Sequence, residues 1–325
     1  MRALVCREYG PPEALVLEER PDPEPGAGQV LVEVRAAAIN FFDLLAIAGR
    51  YQVRTPPPFV AGHEAAGTVA ALGEGVTGLA VGDPVIIAPA GGAFAERCLA
   101  ARSQVFALPR GLDYEQGAGL TITYGTGYHA LRQGAELRAG ETVLVLGAAG
   151  GAGSAAVELA KAMRARVIAA ASGAEKLEFA RRVGADETLD YGRSPLREAV
   201  KALTGGAGVD VVYDPVGGEL AEQALRATAW HGRYLVIGFA SGTIPRLPAN
   251  LALLKEARIV GIWWGTWAER HPEEQAANMA ALTRMVEQGR LAPRVGERYP
   301  LERYRDAFRA ISERRARGKV VLQMG

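Results

Sequence analysis

Two rhythms of apolar and polar positions divide the chain. Up to about residue 101, short apolar stretches of strand length recur at 3–7, 16–19, 30–36, 67–72, 84–87 and 93–99. Turn-forming runs such as Pro21-Asp22-Pro23-Glu24-Pro25-Gly26 and Gly73-Glu74-Gly75 separate them. So many strands without long helices predict a β-rich domain, a partly open barrel. Residues 40–49 are the exception and read as a short inserted helix.

From about residue 123 the rhythm changes. Apolar runs at 143–146, 166–171, 187–190, 209–213, 233–237 and 258–262 alternate with helical patterns at 155–163, 175–183, 196–203 and 220–227. This alternation predicts an α/β fold with a doubly wound parallel sheet of Rossmann type. Beyond about residue 265 follow an amphipathic helix over 273–288, a strand-like 297–300, a helix over 304–315 and a last strand over 319–323. That strand has no place in a finished six-strand sheet, so it is expected to return to the N-terminal domain. Residues 1–122 and 266–325 then form one domain, and 123–265 the other.

The first strand of the second rhythm runs into Gly147-Ala148-Ala149-Gly150-Gly151-Ala152-Gly153. This is A-x-G-x-x-G where the dinucleotide fingerprint has G-x-G-x-x-G. Glycine at Gly150 lets backbone approach a pyrophosphate, and Gly153 lets the next helix lie close to its strand. The helix start offers N–H groups and a positive dipole end. Position between a strand and a helix of a parallel sheet is the context that the fingerprint requires.

An NAD-binding fold carries Asp or Glu about 20 residues past this turn, at the end of the second strand, to bond the ribose hydroxyls. Here that strand ends Ala169-Ala170-Ala171-Ser172, without a carboxylate. Glu175 has capping-box spacing from Ser172, a structural role. A 2′-phosphate is tolerated, with Lys176 as its cation, Ser172 as a hydrogen-bond donor and Tyr191 as a face for the adenine. The competing reading makes Lys176 a solvated helix residue and Tyr191 an edge aromatic. The pattern favours NADPH.

Composition narrows the partners. Of 325 residues, 49% are hydrophobic and 22% charged, and 37 Lys plus Arg nearly balance 36 Asp plus Glu. No global field therefore favours nucleic acid or an anionic membrane. The local run Arg314-Arg315-Ala316-Arg317 reads as a solvated helix end. Two cysteines, Cys6 and Cys98, give no disulfide framework, which fits a reducing cytoplasm. Met1-Arg2-Ala3-Leu4-Val5 runs directly into a strand with no signal-peptide pattern, and the charge-free 142–157 is interrupted by the glycine turn, so no membrane span is expected.

Several further motifs stand in a familiar order: Ala38-Ile39-Asn40-Phe41-Phe42-Asp43, Gly49-Arg50-Tyr51, Gly62-His63-Glu64-Ala65-Ala66-Gly67, Gly82-Asp83-Pro84-Val85, Thr126-Gly127-Tyr128, Tyr213-Asp214-Pro215-Val216-Gly217-Gly218 and Gly318-Lys319-Val320. With the glycine turn, they span almost the whole chain. In this order the chain resembles the medium-chain dehydrogenase/reductase superfamily, and most its zinc-free NADPH:quinone oxidoreductase branch, which includes ζ-crystallin.

The resemblance implies a GroES-like β-rich catalytic domain, a Rossmann domain, an active cleft at their junction and a homodimer paired through the edge of the Rossmann sheet. It places Asn40, Tyr51 and Thr126 at the nicotinamide, Gly150, Gly151, Ala152 and Gly153 at the pyrophosphate, and Ser172, Lys176 and Tyr191 at the adenosine phosphate. Ile237, Gly238, Phe239, Ala240 and Ser241, with Ile262, Trp263 and Trp264, lie along the nicotinamide side, and Lys319 near the cleft mouth.

Zinc-dependent alcohol dehydrogenases of that superfamily place a Cys where this chain has Asn40, a His in the motif of His63-Glu64, and a Cys or Asp near the crossover, here Gly119-Leu120-Thr121-Ile122-Thr123. A catalytic zinc wants three protein ligands. One clear ligand, His63, stays in register, with Cys98 and Glu64 as outside candidates. Alcohol oxidation needs a metal or strong base to strip a weakly acidic proton. Hydride transfer to a quinone or enone needs only binding, orientation and hydrogen bonds to developing negative charge. Asn40 and Tyr51 are the candidate donors; the bland alternatives are that Asn40 caps the short helix and that Tyr51 packs on prolines 56–58. The competing functions are reduction of activated alkenes, including 2-enoyl thioesters, and NADPH binding without turnover, in a crystallin-like or single-stranded-RNA-binding protein.

Overall fold

The computed structural model describes all residues from 1 to 325. It divides into two compact units, Met1–Ile122 with Ala292–Gly325, and Thr123–Leu291.

The first unit is built on the long strand Gln29–Ile39. Val30, Val32 and Val34 point into its core, and then Ala37 and Ile39 do. That change of parity coincides with a slip in register against Ala65–Leu72, between Val34 and Ala36, where a β-bulge turns the strand. Gly67 lies opposite Val34, and a Cβ there would sit 2.0 Å from the Glu33 carbonyl oxygen. The short helix Phe41–Ile47 follows directly on the strand.

The strand Lys319–Gln323 pairs antiparallel with the same spine, Val320 opposite Ile39 and Gln323 opposite Ala36. Its other edge pairs parallel with Val295–Pro300. The C-terminal strand therefore lies inside a seven-stranded sheet whose five other strands, besides these two, come from the first 107 residues. Helix Tyr304–Ser312 covers the core: Phe308 meets Phe94 edge to face at 6.0 Å, and the Tyr304 hydroxyl donates to the Leu15 carbonyl at 2.6 Å.

The second unit holds six parallel strands in the spatial order Glu187–Asp190, Arg166–Ala171, Thr142–Leu146, Val209–Asp214, Thr228–Val236 and Arg258–Gly261. The order reverses beside Thr142–Leu146, which puts the switch point of the sheet at the end of that strand. Its interior is a run of aliphatic side chains, Leu144, Leu146, Ile168, Val212 and Leu235 among them, all fully buried.

Residues 266–291, expected with the front domain, group with this second unit. The buried face of helix Pro272–Glu287 carries two amides that find partners here, Asn278 with Gln133 at 2.9 Å and Gln275 with the Trp264 indole at 3.1 Å. Helical period identifies a buried face but not the body that covers it. No helix is long and apolar enough to cross a membrane.

Candidate active site

The glycine turn sits at the end of Thr142–Leu146 and opens helix Gly151–Ala162, with Gly150 as its N-cap in an extended conformation. A Cβ at Gly153 would lie 2.2 Å from the Gly147 carbonyl oxygen, so only glycine lets the helix descend on the turn. Gly150 supplies no capping side chain, and the first-turn N–H groups of the helix have no intrahelical acceptor. The result is a side-chain-free cradle at a positive helix end, which suits a pyrophosphate.

Two loops close around the turn. Gly147 is backed by Val216, whose Cγ2 would lie 2.9 Å from a Cβ at that position. The 214–218 segment is in turn laced to 237–243: the N–H groups of Ile237, Ala240 and Ser241 donate to the carbonyls of Asp214, Pro215 and Val216 at 3.0, 3.0 and 2.9 Å. Phe239 and Ser241 pack against Gly217 and Gly218, where any Cβ would intrude within 3.0 Å. Thus Gly150, Gly151, Ala152 and Gly153 and the stretch Ile237, Gly238, Phe239, Ala240, Ser241 share one edge of the sheet.

Asp214 locks this junction. Its buried carboxylate accepts from the Val216 and Gly217 N–H groups at 2.7 and 2.8 Å and from the Tyr234 hydroxyl. Burial pushes the Asp214 carboxyl above its ordinary range, against these three hydrogen bonds that pull it down. The sequence motif Tyr213-Asp214-Pro215-Val216-Gly217-Gly218 was a sign of this lock, but only the fold brings Tyr234 to it.

At the expected adenosine end, helix Ala174–Val183 begins with Gly173 as its N-cap at φ 87°. The capping box expected of Ser172 and Glu175 is therefore absent, because the helix starts one residue too late for that spacing. Ser172 makes no cap hydrogen bond, and Lys176 stands in the first turn without an ion pair. Asp190, which sequence reading passed over, lies in register beside Ala171. Its carboxylate is spent on the loop backbone, accepting from Gly192 at 2.9 Å and Gly173 at 3.3 Å. Tyr191 is half-buried against the Rossmann core.

Thr126 lies half-buried on helix Thr121–His129, whose Gly125 takes the Trp264 indole at close range. Ile262 packs on Gly134, and Trp263 is 51% exposed.

In the first unit, a polar cluster is buried beneath the helix Phe41–Ile47. The Lys319 ammonium is bonded to Glu64 and donates to Asn40 Oδ1 at 2.7 Å. The Asn40 amide donates to the same carboxylate at 2.8 Å, and the other Glu64 oxygen accepts from the Ile122 N–H at 2.9 Å. Lys319, expected near a cleft mouth, is instead 4% exposed, because Glu64 beneath it is fully buried and demands a counter-charge. Asn40 does not cap the helix with its side chain; Asp43 accepts from the Asn40 N–H at 2.7 Å.

The other Asp43 oxygen holds His63 Nδ1 at 2.6 Å, which directs Nε2 away from it. Phe42 lies between His63 and Tyr51, at 4.9 and 5.2 Å between ring centres. Tyr51 thus packs on this aromatic, gathered with His63 around the same helix. No three His, Cys, Asp or Glu side chains converge as metal ligands. Cys98 is buried elsewhere in the core, its thiol pushed up to about 12 by burial.

Comparison with known proteins agrees with this architecture. The alcohol dehydrogenase GroES-like domain matches residues 26–145 and the zinc-binding dehydrogenase family matches 151–282. A quinone oxidoreductase-like protein 2 homolog of Nematostella vectensis is 38% identical over 99% of this chain and 88% of its own length. A mycobacterial protein solved with NADPH superposes with a TM-score of 0.93 at 33% identity, covering 99% of each chain. The Escherichia coli quinone oxidoreductase complexed with NADPH gives 0.92 at 29% identity, over 99% of this chain and 100% of that one. The fold and both sites define a medium-chain dehydrogenase/reductase. Within that superfamily the chain belongs to the quinone oxidoreductase branch.

The buried ion pair makes a stability prediction. Glu64→Gln leaves the Lys319 ammonium without its counter-charge and should cost about 3–5 kcal/mol in urea unfolding. Glu64→Gln with Lys319→Met removes both charges and should recover most of that loss. An unaltered unfolding midpoint in the single variant would remove the pair from its structural role.

Proposed function

We propose that the protein is an NADPH-dependent oxidoreductase that transfers hydride to a quinone or a similar electron-poor carbonyl without zinc. The observation that carries this reading is the side-chain-free glycine cradle at the sheet's switch point, with no free acid at the adenosine end. Lys176, unpaired in its first helical turn, and Ser172 suit a 2′-phosphate there, and the two NADPH-bound relatives support the same nucleotide.

NADPH, when bound, supplies the hydride. The chain's own work is to grip the pyrophosphate through Gly150–Gly153, to shape the nicotinamide side with 237–241 and Thr126, and to donate hydrogen bonds to the reduced acceptor. Asn40 is committed to Glu64 and Lys319, so it acts as a positioning residue. The donor is Tyr51; His63, held through its Nδ1 by Asp43, lies around the same helix. The absence of three converging ligands favours chemistry that leaves the proton to the Tyr51 side chain and to solvent.

The edge strand Arg258–Gly261 has a single neighbour in its sheet, and its own Ile259 is 40% exposed. A homodimer that pairs this edge would cover it. Light scattering should give twice the monomer mass.

NADPH oxidation against benzoquinone, naphthoquinone, a simple enone and crotonyl-coenzyme A, with metal content assayed on the same preparation, tests the reading. Quinone turnover without zinc is expected; stoichiometric zinc with alcohol oxidation would overturn it. Lys176→Ala should raise KM for NADPH roughly tenfold and leave NADH unaffected. Tyr51→Phe should lower kcat about tenfold with KM for NADPH unchanged.

A further inference from the structure

All strands of the second unit run the same way, so their two ends make two distinct edges. The glycine turn, Asp214 and the 237–243 loop occupy the edge where strands end. On the edge where Val209–Asp214 and Thr228–Val236 begin lies a cavity of about 300 Å³. Its floor is Ala227, Thr228 and Leu251, all buried, and its walls carry Arg197, Lys201, Arg226 and Lys255. Two of the chain's five lysines thus meet in one hollow.

These cations are poorly compensated. Arg226 pairs with Glu222 at 2.7 Å, but Arg197, Lys201 and Lys255 have no carboxylate partner. Lys255 rests on the Thr228 carbonyl at 2.5 Å, and the Arg197 Nε is buried with no acceptor at all. Burial, with the charges of Lys201 and Arg197 nearby, pushes the Lys255 ammonium below its ordinary range. Backbone donors at the rim are already taken: Gly206 donates to the Lys201 carbonyl and Gly208 to the Thr204 hydroxyl. Side chains alone are left to hold a ligand.

Like charges converging on a half-enclosed hollow repel one another, and an orphaned N–H adds a desolvation cost. An anion seated among them offsets both. We propose that this cavity is a second binding site, remote from the glycine turn, for a small multivalent anion, a phosphorylated or polycarboxylate metabolite. Its volume is at the small end for ligand sites, which fits a compact ligand with several charges.

Calorimetric titration of the whole protein with inorganic pyrophosphate and, separately, with citrate at constant ionic strength tests this, with and without saturating NADPH. Pyrophosphate or citrate should bind at one site that persists when NADPH is present, and the tighter of the two assigns the ligand to the phosphate or the carboxylate class. Lys201→Gln and Arg197→Gln should each weaken that binding roughly tenfold. Lys201 is exposed, so its variant should keep the wild-type unfolding midpoint. No binding of either anion, or equal affinity in both variants, would overturn the site. Because the variants are also read without NADPH, failure of the nucleotide reading leaves this result interpretable.

Discussion

A fully buried carboxylate has to be answered by a cation, and in the first unit the answer comes from the far end of the chain. Glu64 is fully buried, and Lys319, separated from it by 255 positions, supplies the charge. Asn40 fills the remaining geometry by donating to the carboxylate and accepting from the ammonium. The pairing fixes the register in which Lys319–Gln323 enters the sheet, since the ammonium must arrive at Glu64 while Val320 faces Ile39. It also ties the Ile122 amide, at the first turn of helix Thr121–His129, to the same oxygen pair. Electrostatic need and strand pairing therefore specify one closure of the β-rich unit.

In the second unit the governing constraint is direction. Six parallel strands expose helix N-termini and glycine loops on one edge, and Asp214 gathers the loops there by accepting from two N–H groups and a tyrosine. The opposite edge receives helix C-termini and the cationic side chains near them. An arrangement of this kind separates the glycine edge from the cationic hollow by the length of a strand, roughly 20 Å for six residues.

The fold class was readable because strand and helix periods change sharply near residue 123, and because a last strand without a place in the parallel sheet had to go elsewhere. The glycine cradle was equally legible, since steric room at Gly150 and Gly153 is a property of residue type. What the pattern could not convey was pairing across distance. Lys319 was placed near a cleft mouth, and only the fold sets it on the buried Glu64. Helix Pro272–Glu287 was assigned to the wrong body, because Gln275 and Asn278 resemble surface amides until Trp264 and Gln133 meet them. The capping box at Ser172 failed for a local reason: Gly173 takes a left-handed φ and claims the cap. Asp190 escaped notice because it belongs to the third strand, and only the parallel register sets it beside Ala171.

The inner position of Lys319–Gln323 also orders events during synthesis. The strand separates Val295–Pro300 from Gln29–Ile39, so neither can complete its hydrogen bonds before residue 323 has left the ribosome. The Rossmann unit, contiguous from Thr123 to Leu291, is fully made by then. Until then the first 122 residues lack the partner strand for one sheet edge and the counter-charge for Glu64. The part of the chain translated first thus depends on the part translated last to complete its sheet.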